Sequence, residues 1–397
     1  MLKRFCCIFL CLFVVLSAFP LPSLAADTTD STAFGDIDAR SAILMEASTG
    51  TVLFEKNADE ALPPASVTKV MTMLLVLEAI DAGQIKKEDI VRISDYASSM
   101  GGSQVYLKAG EEMSVNDLLK SVIVASANDA AVALAEHVCG SEQAFVARMN
   151  ERAAELGMVN TVFKNTNGLD DEDTGHLTSA RDIALMSRQV LTHRDVFDYT
   201  TIWMDSIRDG AFGLTNTNRL VRFYRGCTGL KTGSTSKAGF CISATAERDG
   251  MHLICVIMGS TTKDARNALA ASLLDYGFSG WCVVTYPETH CEPIPVSGGT
   301  ADTLHASAPA LTSLLRRADK EKITTEVLCP ESLKAPISRG DIIGQITHKV
   351  GDTVIGTTPI TADEDIPRIG YWELFSRMLS GFAFGGHGHG QTRAPSN

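Results

Sequence analysis

The stretch PPASVTKVMTMLLVLEAI, residues 63–80, reads as a helix with no polar face. Val70, Met73, Leu74, Leu77 and Ile80 recur at helical spacing, and Met71, Leu75 and Val76 make the other sides apolar. A helix that is apolar all round is normally enclosed by a core, so this one predicts the centre of a domain. Lys69 nevertheless stands in its first turns, three residues after Ser66 and on the same face. Serine is a poor nucleophile until a base takes its proton. A lysine one turn away can be that base only when neutral, with its ordinary pKa of about 10.4 depressed by burial or by a second cation. The helix N-terminus would favour the developing alkoxide. The competing reading is a lysine whose head snorkels to solvent.

On either side of this helix the pattern alternates between strand and helix. Residues 40–56 read as a hairpin turning at Ser48-Thr49-Gly50, and residues 115–139 as two helical segments meeting at Ser126-Ala127-Asn128. A loop-rich stretch precedes the helix ARDIALMSRQVL. Two strands then turn at Asp249-Gly250, and DARNALAASLLDYGF closes the region as a helix. The expected fold is mixed α+β, an antiparallel sheet flanked by helices over residues 37–283. From residue 285 to 365 short β-favouring runs alternate with Pro and Gly, which predicts a small all-β domain.

Composition limits the function classes. Of 397 residues 45% are apolar, which suits a sizeable core. The net charge of −12 argues against a nucleic-acid partner. Residues 1–25 carry Lys3 and Arg4, an apolar run from Phe5 to Phe19 and a small-residue end at Ala25, the pattern of a cleaved secretory signal. The protein is therefore expected outside the cytoplasm. Seven cysteines follow that segment, none in a Cys-x-x-Cys pair; they are expected mostly as small core residues, with at least one free thiol or intermolecular bond. No metal or cofactor is implied, since the two histidines of GGHGHG (385–390) fall short of a closed site.

Ser-x-x-Lys alone is a weak signal, because it recurs at Ser234–Lys237 and Ser260–Lys263. Ser-x-Asn at Ser126–Asn128 has a decoy at Ser114–Asn116, and Asn128 could simply cap the following helix. Lys231-Thr232-Gly233 occurs once, and could be an ordinary loop lysine before a glycine turn. The three in order, each in a suitable setting, form a strong set.

That set resembles the signature of penicillin-binding proteins and serine β-lactamases. The surrounding NADEALPPASVTKVMT, VASANDAAVALAEHV, NTNGLDDEDTGHLTSARDIALMSR and GCTGLKTGST look like the low-molecular-mass D-alanyl-D-alanine carboxypeptidases of peptidase family S11. The resemblance implies peptidoglycan stem peptides ending in D-Ala-D-Ala as substrate and β-lactam antibiotics as ligands. It casts Ser66 as nucleophile, Lys69 as general base, and Ser126 with Lys231 as a proton shuttle to the leaving amine. Lys231 would also disfavour the charged form of Lys69. Asn128 would hydrogen-bond the substrate backbone, Gly233 would let it lie close, and the N–H groups of Ser66 and Ser234 would form an oxyanion hole. Thr232 and Arg266 are candidates for the terminal carboxylate; Arg266 could equally be a surface residue at a helix start. Ser234 stands where some relatives have histidine, and His176 is expected to support structure.

Three other functions compete. A class A β-lactamase would need a Glu-x-x-Leu-Asn pattern that residues 155–185 lack, and a non-enzymatic penicillin sensor would not need both lysines. A D,D-endopeptidase would use the same catalytic set. Near the end, residues 368–384 gather Tyr371, Trp372, Leu374, Phe375, Met378, Leu379 and Phe382 on one side of a helix. Such a helix can lie in a membrane interface, as the related enzymes' C-terminal anchors do, or can pack on the β-rich domain. Attachment to the outer face of the cytoplasmic membrane is the expectation, with 385–397 as a flexible tail.

Overall fold

The computed structural model describes residues 34–169 and 175–384; the signal-like segment 1–25 and the tail 385–397 lie outside them. A five-stranded antiparallel sheet organises the first part of the chain. Its strands are β1 (Ser41–Glu46), β2 (Val52–Lys56), β3 (Cys227–Thr235), β4 (Gly239–Arg248) and β5 (Met251–Ser260), in the order β2-β1-β5-β4-β3. Both faces are covered, which is why LICVIM in β5 is continuously apolar. Leu253, Cys255 and Ile257 pack with Leu273 and Leu274 of one long helix (Lys263–Gly280), while Ile254, Val256 and Met258 face the cluster that holds the all-apolar helix. The β4–β5 turn is Asp249-Gly250, both at positive φ, as a type I′ hairpin requires.

The central helix α1 spans Lys69–Asp81, and Val70 to Leu77 are all buried. It does not begin at the prolines. Ala65–Thr68 form a 3-10 turn first, after Ala65 takes φ +49°, and only then does the α-helix start. The tighter turn nearly eclipses positions three apart, so Ser66 and Lys69 stand side by side. Helices α2 (Val115–Val124) and α3 (Asn128–Cys139) meet at Ser126, which takes φ +63°. Ser114 caps α2 through its side chain, which accounts for the decoy triplet there. Residue Ala127, not Asn128, occupies the N-cap of α3.

The C-terminal part is a small all-β domain built round an antiparallel meander of Ile323–Leu328, Ile342–Val350 and Thr353–Ala362. Helix α4, Tyr371–Phe384, follows it. No helix among the described residues is long and apolar enough to cross a membrane. The seven cysteines are free thiols; Cys241, Cys255 and Cys282 are buried, and the other four are half-buried against the core clusters.

Candidate active site

Strand β3 packs on the 3-10 turn, and the α2–α3 junction reaches the first residue of α1 through Asn128. Lys69 has no solvent exposure, which excludes snorkelling. Its Nζ lies 3.0 Å from Ser66 Oγ, 2.6 Å from Asn128 Oδ1 and 2.8 Å from the Asn167 carbonyl. The Asn128 amide is oriented by Gly101, whose carbonyl accepts from Nδ2 at 2.7 Å and so leaves Oδ1 facing the lysine. Burial first, and the Lys231 charge second, hold the Lys69 pKa well below its usual value, against an upward pull from Asp129. The consequence is geometric. A neutral amine has two protons, and two of its three neighbours are carbonyl oxygens that can only accept. In that neutral form both protons go to Asn128 and Asn167, which leaves the lone pair for the Ser66 hydroxyl.

Lys231, Thr232 and Gly233 lie inside strand β3 and not in a loop. Lys231 is buried, donates to the Thr232 carbonyl at 2.9 Å, and is lowered to about 7 by burial and by the Arg266 charge. Arg266 is no surface residue. It is 2% exposed, with Nη1 on the Cys241 carbonyl and Nε and Nη2 on Asn267, and burial draws its own pKa down to about 10. Thr232 donates its hydroxyl proton to Thr217. A Cβ on Gly233 would stand 2.8 Å from Ser66 N and from the Pro64 carbonyl, so strand and nucleophile touch through backbone alone. Ser126 is buried and Ser234 exposed.

The family model of the D-alanyl-D-alanine carboxypeptidases, peptidase S11, matches residues 26–262. The chain belongs to peptidase family S11. A second model, the C-terminal domain of penicillin-binding protein 5, matches residues 288–368. The S11 chain is 40% identical to D-alanyl-D-alanine carboxypeptidase DacF of Bacillus subtilis over 86% of its own length and 89% of the relative's. Penicillin-binding protein 5 of Haemophilus influenzae superposes with a TM-score of 0.73 at 29% identity, covering 84% of this chain and 98% of that one. Penicillin-binding protein D2 of Listeria monocytogenes, solved in an ampicillin-bound form, gives a TM-score of 0.56 at 32% identity, over 61% of this chain and 98% of that one.

Several parts of this S11 site carry no motif of their own. The Asn167 carbonyl reaches Lys69 because Asn165 Oδ1 accepts from the N–H groups of Asn167 and Gly168, an Asx-type turn. Asp129 is fully buried and accepts from Val105, Leu107 and Ala130 N–H, which pins the loop carrying Gly101. Asn-Thr-Asn-Gly is readable as a turn, but nothing in its letters says that one carbonyl meets a lysine 98 residues away.

Proposed function

We propose that the protein is a serine-type D-Ala-D-Ala carboxypeptidase that trims the terminal D-alanine from peptidoglycan pentapeptide stems, and that β-lactams acylate the same serine. The observation that carries this reading is the fully buried Lys69 amine, 3.0 Å from Ser66 Oγ with carbonyl oxygens as its other two neighbours. Lys69 takes the Ser66 proton as Oγ attacks the penultimate D-Ala carbonyl. The Ser66 and Ser234 N–H groups receive the oxyanion, where fixed donors meet charge as it develops. Ser126 and Lys231 pass a proton to the departing amine, the C–N bond breaks, and water hydrolyses the ester by the reverse path. The Thr232 hydroxyl turns from Thr217 to donate to the terminal carboxylate, with the buried charge of Arg266 behind it. Asn128 retains a second N–H for the substrate backbone. Incubation with a D-Ala-D-Ala pentapeptide and with cross-linked muropeptides tests the reading. Free D-alanine from the pentapeptide is expected; cleavage of the cross-link instead would make the enzyme an endopeptidase.

The same reading places the enzyme outside the cytoplasm, with residues 1–25 as signal, 37–283 as catalytic domain and 285–365 as β-rich domain. Of the residues 368–384 expected as the membrane-interface helix, Tyr371–Phe384 form the helix α4 that would lie in the interface. Tyr371 and Trp372 are 76% and 78% exposed, and Leu374, Phe375, Met378 and Leu379 are exposed beside them, which supports an apolar face for lipid over one packed on protein. Arg377 pairs with Asp302 at 3.0 Å and ties the helix to the β-rich domain. Truncation after Pro367 is expected to abolish vesicle binding; unchanged partitioning would remove the anchor.

A further inference from the structure

Thr68 and His176 belong to none of the steps above, yet both end on the residue that precedes the nucleophile. Lys164 N–H donates to His176 Nδ1 at 3.1 Å, so the ring proton sits on Nε2. That proton points at Thr68 Oγ1, 2.8 Å away. The Thr68 hydroxyl in turn donates to the Ala65 carbonyl at 2.9 Å. The chain of donors ends on a carbonyl. Thr68 is fully buried, so water does not compete for the last bond.

The end point matters because of the peptide plane it fixes. Ala65 is held at φ +49°, a region that a residue with a Cβ occupies only where its surroundings impose it. Gly168 closes the other side of the same carbonyl: a Cβ there would fall 1.8 Å from Ala65 O and 2.7 Å from Thr68 Oγ1. In a trans peptide the carbonyl of one residue and the N–H of the next point in opposite directions. Fixing Ala65 O therefore aims Ser66 N–H, and Ser66 N lies against β3 at Gly233. We infer that Thr68 and His176 are positioning residues that brace the Ala65–Ser66 peptide and so aim the oxyanion-hole donor. This rests on the assignment of Ser66 as nucleophile.

The test is acylation by a fluorescent penicillin, together with the infrared band of the penicilloyl ester carbonyl, which falls in wavenumber as the oxyanion hole polarises it. Only molecules that have acylated contribute to that band, so unfolded protein does not enter it. Thr68→Val removes the hydroxyl at nearly constant shape and Thr68→Ser keeps it. Thr68→Val is expected to acylate about tenfold or more slowly with its carbonyl band raised, short of the roughly 10²–10³-fold cost of deleting such a donor. Thr68→Ser is expected near wild type, and His176→Ala to shift the band the same way by less. A wild-type rate in Thr68→Val, equal slowing in Thr68→Val and Thr68→Ser, or an unmoved band in a slowed variant would each overturn the brace alone. Ser66→Ala must not label; labelling there would overturn the nucleophile and the brace with it.

Discussion

Adding one methyl group at Gly233 tests how the strand and the nucleophile share space. In Gly233→Ala the new Cβ would meet the Pro64 carbonyl at 2.8 Å, Ser66 N at 2.8 Å and Val67 N at 2.9 Å. Ordinary contact begins at 3.4 Å, so the gap is about 0.6 Å too small. All three neighbours are backbone atoms, and no rotamer change can yield. Either β3 or the 3-10 turn must move. Overpacking of this kind costs about 1–3 kcal/mol of stability. Since a 1 Å misplacement of reacting groups can cost about 100-fold, a shift of roughly half that should slow acylation about tenfold. The assay is stopped-flow acylation by a reporter penicillin beside a thermal melt. Gly213→Ala, where a Cβ meets nothing within 4 Å, serves as the control. A Gly233→Ala protein with wild-type acylation and an unchanged Tm would refute the contact.

Three further outcomes follow from the charges. Asn128→Asp would set a carboxylate against Lys69 and hold it as an ammonium; the rising limb of the acylation pH profile should move alkaline, with about a tenfold loss at neutral pH per unit moved. In the free protein Lys231 titrates near 7, and an arriving carboxylate favours its charged form, so Ser66→Ala should take up a proton on binding a D-Ala-D-Ala peptide at pH 8 and little at pH 6. Calorimetry in buffers of different ionisation enthalpy reads this, and a C-terminal amide should show none. Lys231→Met should stabilise the fold while impairing catalysis: between about 7 and about 10.4 the unfolded chain binds the proton and the folded one does not, so wild-type stability rises with pH there. The variant's advantage, on the order of 4 kcal/mol for a shift of that size, should be largest below pH 7 and fade by pH 10.4, as chemical denaturation at several pH values would show.

The sequence made four of the five sheet strands, the buried helix and the α2–α3 junction legible because each follows from local periodicity, whereas β3 showed only as the Lys-Thr-Gly motif. Val70 to Leu77 could only be core, and Asp249-Gly250 could only be a tight hairpin turn. The site was legible as far as side chains in motifs go. Two parts were hidden for different reasons. The 3-10 start of the central helix depends on Ala65 being forced to φ +49° by Gly168 and Thr68, which are long-range or buried contacts with no periodic trace. The burial of Arg266 depends on β4, because its guanidinium runs to the Cys241 carbonyl. A helix-start arginine looks exposed until the strand beneath it is known.

The all-apolar helix has two jobs that the same atoms perform. A buried amine loses hydration it would need as an ammonium, and that is what makes Lys69 a base. The same burial destabilises the fold whenever a proton is present, and Lys231 and Arg266 add two more buried cations. Asp129 is the buried carboxylate that pulls Lys69 the other way, and it cannot balance three. What offsets them is the rest of α1. Val70, Met71, Met73, Leu74, Val76 and Leu77 are each essentially inaccessible, and a fully buried side chain of this type contributes about 1.5–3 kcal/mol. Stability and basicity are therefore separable along one helix. Changes at Leu74 or Leu77, away from the lysine, should lower stability without moving the acylation pH profile. Opening the first turn to water should move the profile first.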